Sequence, residues 1–377
     1  MNDASPHQRF PLPDRPSGGI LYKAHIDMPL FMGLVLLSII GFIILYSAGG
    51  QQTDLLIRQA TRLGIAYATM FVIAQLHPRH LQFHSPILFL IGVVLLIAVL
   101  IAGETGGGAQ RWLNLGFFRF QPSEMIKIST PMMIAWYLAE HPLPPKLKHI
   151  AVAGVQILIP VLLIAKQPDL GTSILVATSG AAVLFVSGIS WFFLLKVCIS
   201  FAAMTPLIWH FMKEYQRNRV RTLLNPEADP LGTGYHIIQS KIAIGSGGLH
   251  GKGWLNGTQA HLDFLPERST DFIFAVFAEE FGLLGCIGLL IVYLIIISRC
   301  FYIAIQAQDS FSRLLAGSLS ITFFVYVFVN IGMVIGILPV VGVPLPLVSY
   351  GGTSMVTLLA GFGILMSIHT HRKLLPT

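Results

Sequence analysis

Charge is what this chain has least of. Of its 377 residues only 11% are Asp, Glu, Lys or Arg, less than half of the roughly 25% carried by a soluble domain. That shortage excludes an ordinary soluble enzyme, whose surface needs solvating groups. The 54% hydrophobic content likewise excludes intrinsic disorder, which requires few apolar residues and much net charge. Cysteine is almost as scarce. Cys198, Cys286 and Cys300 stand alone in apolar stretches without CxxC or Cys/His spacing, so neither a disulfide framework nor a zinc site is expected, and the three read as small core residues. Several catalytic signatures are also missing. The glycine-rich Gly245–Gly253 has Ser246 where a P-loop requires glycine and Gly253 where it requires Ser or Thr, so it reads as a turn-rich loop. Glu227-Ala228-Asp229 lies between Pro226 and Pro230 and reads as a solvated turn rather than a metal-binding pair. There is no Ser-His-Asp elbow, no HExxH helix, and no basic and aromatic interleaving of the kind that binds nucleic acid.

What is present is long apolar runs. A bilayer core needs about 20 apolar residues per helix, and that window gives spans at 28–48, 83–103, 272–298, 312–337 and 348–368. Further spans, interrupted by polar residues, lie at 55–75 (with Arg58 and Arg62), 121–140 (with Glu124 and Lys127), 149–165, 171–189 and 191–212. The expected fold is therefore an all-α polytopic membrane protein of about ten transmembrane helices: one transmembrane unit over 28–368, with residues 1–27 and 369–377 as tails. The first 27 residues are polar and contain prolines, and read as a tail rather than a cleavable signal. With both termini in the cytoplasm, the short inner segments carry ten Lys/Arg and the short outer loops only Arg111, Arg119 and Lys166, which satisfies the positive-inside rule. The long segment 213–271 then faces outward, with a short helix expected over Tyr235–Ile244.

Almost every residue able to do chemistry falls on that outer side. Arg111 lies in one outer loop, Gln121, Glu124 and Lys127 on one face at the outer end of a span, and Asp169 before another. Glu124 and Lys127 either serve function, as ionisable groups inside a membrane usually do, or simply neutralise each other at i, i+3. Asp271 precedes an apolar run, where it is either a functional acid or a helix cap. Of Glu279 and Glu280, two turns deeper, one is expected to pair with a cation across helices while the other stays protonated, with a catalytic role as the alternative. Pro339, Pro344 and Pro346 preclude a regular helix over 338–348, and non-helical backbone at membrane depth must be buried in protein or line a cavity. The following Ser349, Tyr350, Gly351, Gly352, Thr353 and Ser354 open the last span, offering free N–H groups and hydroxyls as an anion site.

Four motifs, taken in order, carry a resemblance: Phe120-Gln121-Pro122-Ser123-Glu124, Gln167-Pro168-Asp169-Leu170-Gly171-Thr172, Phe264-Leu265-Pro266-Glu267 with Thr270-Asp271-Phe272, and Gly342 through Gly352. The chain resembles the SEDS family (shape, elongation, division and sporulation) from Asp27 to Lys373. The resemblance implies a peptidoglycan glycosyltransferase of the inner membrane that elongates glycan strands from undecaprenyl-diphosphate-linked lipid II during cell-wall elongation. It places the family's catalytic aspartate on Asp271. It also implies a class B penicillin-binding protein and other elongation-machinery proteins as partners, with lipid II and the nascent strand as substrates. A polyprenyl diphosphate is already an activated leaving group, so no nucleotide is required, and a divalent cation, Mg or Mn, would bridge carboxylate and diphosphate. A lipid II flippase and a non-catalytic scaffold that activates a transpeptidase are the competing readings. The near-blank inner half argues against a flippase, which should be polar toward both leaflets.

Overall fold

The computed structural model describes residues 25–106, 109–114, 116, 119–212, 214–228, 232–261 and 267–372. The remaining positions include most of the N-terminal tail, the end of the C-terminal tail, Asp229, and Phe264-Leu265-Pro266; expectations for these lie outside the described residues.

Backbone N–H and C=O groups find no water in a bilayer core, so apolar runs must satisfy them internally as helices. Each of the ten expected spans is helical: α1 Met28–Ala48, α2 Thr53–Ala74, α3 Pro78–Ala102, α4 Pro122–Ala139, α5 Leu147–Lys166, α6 Leu170–Val186, α7 Trp191–Phe211, then α11 Ile273–Ile305, α12 Ser310–Val334 and α13 Thr353–Thr370. Among the described residues, six of these are long and apolar enough to cross a membrane by length and composition alone. The others are shortened, as α6 is, or carry ionisable residues, as α2 and α4 do. Between α7 and α11 lie α8 Glu214–Leu224, α9 Thr233–Gly247 and a single turn, α10 Thr258–His261. The short helix expected at Tyr235 is thus part of α9.

Among the described residues, strands interrupt the all-helical reading at one place. Residues read as a plain loop after α3 form three antiparallel strands, β1 Glu104–Gly106, β2 Ala109–Asn114 and β3 Arg119–Phe120, in that order in the sheet. The strands are two to six residues long, too short for a strong period-2 pattern to show in the sequence. At the other end of the bundle the first and last described segments meet, His25 bonding Thr370 at 3.0 Å. Asp27 caps α1 by accepting from the Leu30 amide at 3.0 Å, and its carboxylate also holds Arg299 at 2.6 Å and His369 at 3.3 Å.

α11 is two helices joined at Gly282, where φ is +65°. Its break is filled by the glycine-rich segment after α9. The amides of Lys252 and Gly253 donate to the carbonyls of Glu279 and Glu280, at 3.0 and 2.9 Å. Glu279 is fully buried, and Oε1 collects Lys252 Nζ at 2.7 Å together with the Thr258 amide and hydroxyl, each at 2.9 Å. Glu279 therefore has its cation, though from the glycine-rich loop rather than across helices. Glu280 accepts from the Ser47 hydroxyl of α1. Gly251, at φ +78°, sits so close that a Cβ there would lie 2.1 Å from the Glu280 carbonyl oxygen. Gly251→Ala is therefore expected to destabilise the protein by about 2–4 kcal/mol, adding left-handed strain to overpacking. Gly288→Ala, on the same helix but with open space around its Cβ position, should stay within about 0.5 kcal/mol. Thermal unfolding of the two variants side by side checks the contrast.

Candidate active site

The turn before α11 is closed on Glu267, whose carbonyl accepts from the Thr270 amide at 3.1 Å and the Phe272 amide at 3.3 Å. Phe272 is the N-cap of α11, and its side chain makes no capping bond; its ring stacks on His236 of α9 with centroids 5.5 Å apart. Asp271 therefore does not occupy the capping position. Its backbone is held from below by Asn330 of α12, whose amide nitrogen donates to the Asp271 carbonyl at 2.9 Å and the Val343 carbonyl at 2.7 Å. Across from its carboxylate lies Gly342, at φ +76°, where a Cβ would stand 3.5 Å from Asp271 Oδ2. Burial, reinforced by the neighbouring Glu267 carboxylate and partly offset by Arg219, pushes the Asp271 carboxyl up to about 6. A carboxylate raised into that range is a better proton acceptor at neutral pH than an ordinary one, which is how general bases are tuned.

The proline-broken strap 338–348 runs alongside. It ends at Ser349, whose hydroxyl donates to the Thr270 carbonyl at 2.6 Å and accepts from the Leu345 amide at 2.8 Å. The Tyr350 amide donates to the Ser269 carbonyl at 2.8 Å. Ser349 and Tyr350 thus fasten the strap to the Asp271 turn, and the Ser349 hydroxyl is committed to backbone rather than open to a ligand. Gly351, Gly352, Thr353 and Ser354 are half-buried, with Gly352 at the N-cap of α13; the Gly351 amide is taken by Gln59 and the Met355 amide by the Gly352 carbonyl. From the other side, α2 reaches the same turn: Gln59 bonds Ser349 and Gly351, and the Arg62 guanidinium lies 4.7 Å from the centroid of the Tyr350 ring.

Gln121 is the N-cap residue of α4, and its amide donates to Ser123 Oγ at 3.0 Å. Within α4, Lys127 Nζ lies 2.8 Å from Glu124 Oε1, and both side chains are 8% exposed. The ammonium also faces the Tyr326 ring of α12 at 5.7 Å, and Tyr326 lies within electrostatic range of Glu124, Lys127 and Asp169. Lys127 and Tyr326 line a cleft of about 430 Å³ between α4, α12 and α13. A second cleft of about 300 Å³, lined by Pro344, Ser349, Gly351 and Ser354, shares Tyr326 and Leu358 with it. These shared residues place the two clefts side by side, one lined by Lys127 and the other by the residues before α13. Arg111 of β2 donates to the Pro168 carbonyl at 3.0 Å and stands 3.5 Å from the Asp169 carboxylate. Asp169 also caps α6 through the Thr172 amide. Two residues on, Gly171 abuts the Val341 carbonyl of the strap. Arg111 and Asp169 thus lie beside the strap through Gly171, and Asp169 is within electrostatic range of Tyr326, though neither lines the two clefts.

Asn330, Gln59 and Arg62 were missed as site residues by the sequence reading. Their signal was there: an amide or guanidinium inside an apolar run is costly unless partnered, and the partners here are Asp271 and Val343 for Asn330 and the Ser349–Gly351 turn for Gln59 and Arg62.

The family described as cell cycle protein (FtsW, RodA, SpoVE) matches residues 21–374. The peptidoglycan glycosyltransferase MrdB of Escherichia coli is 54% identical over 354 residues, covering 94% of this chain and 96% of that protein. A chain of a solved peptidoglycan synthase complex that coordinates polymerization and crosslinking superposes with a TM-score of 0.80 at 34% identity, over 91% of this chain and 97% of its own. The rod shape determining protein RodA of Thermus thermophilus does so with a TM-score of 0.69 at 29% identity, over 92% and 98%. With the Asp271 turn, the proline-broken strap and the helical bundle in place, the chain belongs to the FtsW/RodA/SpoVE, or SEDS, family.

Proposed function

We propose that the protein is a peptidoglycan glycosyltransferase that polymerises lipid II at the outer face of the bacterial inner membrane, with Asp271 as general base. The observation that carries this is Asp271: its carboxylate is raised toward neutrality, its backbone carbonyl is held by Asn330 of α12, and the preceding carbonyl, of Thr270, is held by Ser349 at the end of the strap. The 4-hydroxyl of an incoming GlcNAc would give its proton to Asp271 while attacking C1 of the MurNAc at the end of the growing strand. The undecaprenyl diphosphate leaves from the opposite face, inverting that carbon without a covalent sugar intermediate. Lys127, Arg111 and the first turn of α13 would hold the diphosphate.

Among the described residues no cluster of three His, Cys, Asp or Glu could hold a metal by itself. Mg²⁺ commonly takes one or two carboxylates plus substrate phosphates, so a Mg or Mn would be held by Glu267, the carboxylate beside Asp271, together with the leaving diphosphate, whose charge it would neutralise while Asp271 stays free as the base. The transpeptidase partner is a class B penicillin-binding protein, a reading supported by the synthase complex whose chain superposes on this one. Both termini are assigned to the cytoplasm from the Lys/Arg asymmetry.

The purified protein with its transpeptidase partner, given fluorescent lipid II in vesicles, is expected to yield glycan polymer. Headgroup translocation without polymer would favour the flippase instead, and neither product would leave a scaffold role.

A further inference from the structure

α2 packs along α13 through Leu63, Ala66, Met70 and Ala74, all buried. One turn before this apolar stripe, at the same face, stands Gln59, only 4% exposed. An amide there costs desolvation that a leucine would not, unless it is hydrogen-bonded. It is bonded twice: Nε2 donates to the Ser349 carbonyl and Oε1 accepts from the Gly351 amide, each at 3.3 Å. The side chain thus pairs with the backbone on both sides of Tyr350, as a neighbouring peptide group would. Tyr350 in turn donates its amide to Ser269, and Ser349 donates its hydroxyl to Thr270. Arg62, one turn on, covers the Tyr350 ring and reaches the Gly351 carbonyl at 3.4 Å.

We propose that Gln59 is a positioning residue for glycan transfer: through its amide, α2 fixes the Ser349–Gly351 turn, and that turn fixes the backbone immediately before Asp271. The inference rests on the reading of Asp271 as the base, but its physical content is the tie itself. The two hydrogen bonds of Gln59 go to backbone and neither goes to the Asp271 carboxylate, so it acts on the reaction through the Ser349–Gly351 turn, an effect we place on the rate of transfer. The amide is required on both counts, since Leu removes both bonds and Glu keeps the acceptor for Gly351 while losing the donor to Ser349.

The test uses the full chain with its transpeptidase partner. Hydrogen exchange is followed by mass spectrometry in peptides covering 267–272 and 345–352, beside lipid II kinetics. Gln59→Leu is expected to speed exchange at least tenfold in both peptides and to lower kcat at least tenfold, with KM for lipid II within threefold. Gln59→Glu should fall between Leu and wild type in both readouts. Unchanged exchange in 267–272 in a folded Leu variant overturns the tie. Faster exchange with wild-type kcat overturns its bearing on the reaction, and a loss confined to KM would make Gln59 a substrate contact instead. Full turnover by Asp271→Asn would remove the base reading while the exchange data still judge the tie.

Discussion

Asp271→Asn is expected to lower lipid II polymerisation by about two to four orders of magnitude, the usual contribution of a positioned general base, without unfolding the protein. Asn keeps the shape and the backbone carbonyl that Asn330 holds but cannot accept the proton. The same reasoning fixes the pH dependence of the wild type. The carboxyl is raised from 3.8 to about 6 by burial and Glu267, and only the ionised form works as a base. The rate should therefore rise with pH through about 6 and level off above it. Glu267→Gln removes the like charge and should move this midpoint down. Stability runs the other way. An acid whose folded pKa exceeds its unfolded one binds more protons folded than unfolded between the two values, so stability falls as pH rises through that window, and the loss is complete above it. The Asn variant escapes that loss, so its unfolding midpoint at pH 7.5 should be no lower than that of the wild type. A folded Asn variant that polymerises at the wild-type rate would end the assignment. An inactive one that has also lost several degrees of thermal stability would point to a structural role.

Much of the site was legible because a membrane-embedded chain has so few polar residues. Each of the ten helices could be read from hydrophobicity, since a bilayer leaves the backbone no alternative, and Asp271, Glu124 and Lys127 stood out against that background. The strap 338–348 was readable as non-helical from its three prolines. Two things were not legible. The capping alternative for Asp271 could be settled only by seeing that Phe272 takes the N-cap, a one-residue difference beyond sequence resolution. The partners of Gln59 and Asn330 lie 292 and 59 residues away at their furthest. Such long-range pairings to backbone leave no spacing pattern in the chain. The glycine-rich segment is a loop only from Gly248 to Gly253, since Gly245–Gly247 still belong to α9; its purpose, filling the break in α11 at Gly282, depends on a backbone contact that composition cannot encode.

Lys127→Met is expected to cost about 3–5 kcal/mol of stability, because it leaves the Glu124 carboxylate buried without its cation. Glu124 is badly placed to tolerate this: Oε1 bonds Lys127, and Oε2 has no hydrogen-bond partner. Replacing both groups at once is different. Glu124→Gln with Lys127→Met removes both charges from the apolar interior, and stability should return to within about 1 kcal/mol of wild type, since neutral replacements of a buried pair are often tolerated. The two sequence readings of this pair now part company. If the residues only neutralise each other, the folded double variant should polymerise lipid II normally. Lys127 also lines the 430 Å³ cleft that adjoins the one at the start of α13, and a cation there can meet a diphosphate as well as a carboxylate. The double variant is therefore expected to regain its unfolding midpoint but not its turnover, remaining at least tenfold below wild type. Stability and activity recovering together would assign the pair to folding alone, and would leave Arg111 and the α13 amides to hold the diphosphate.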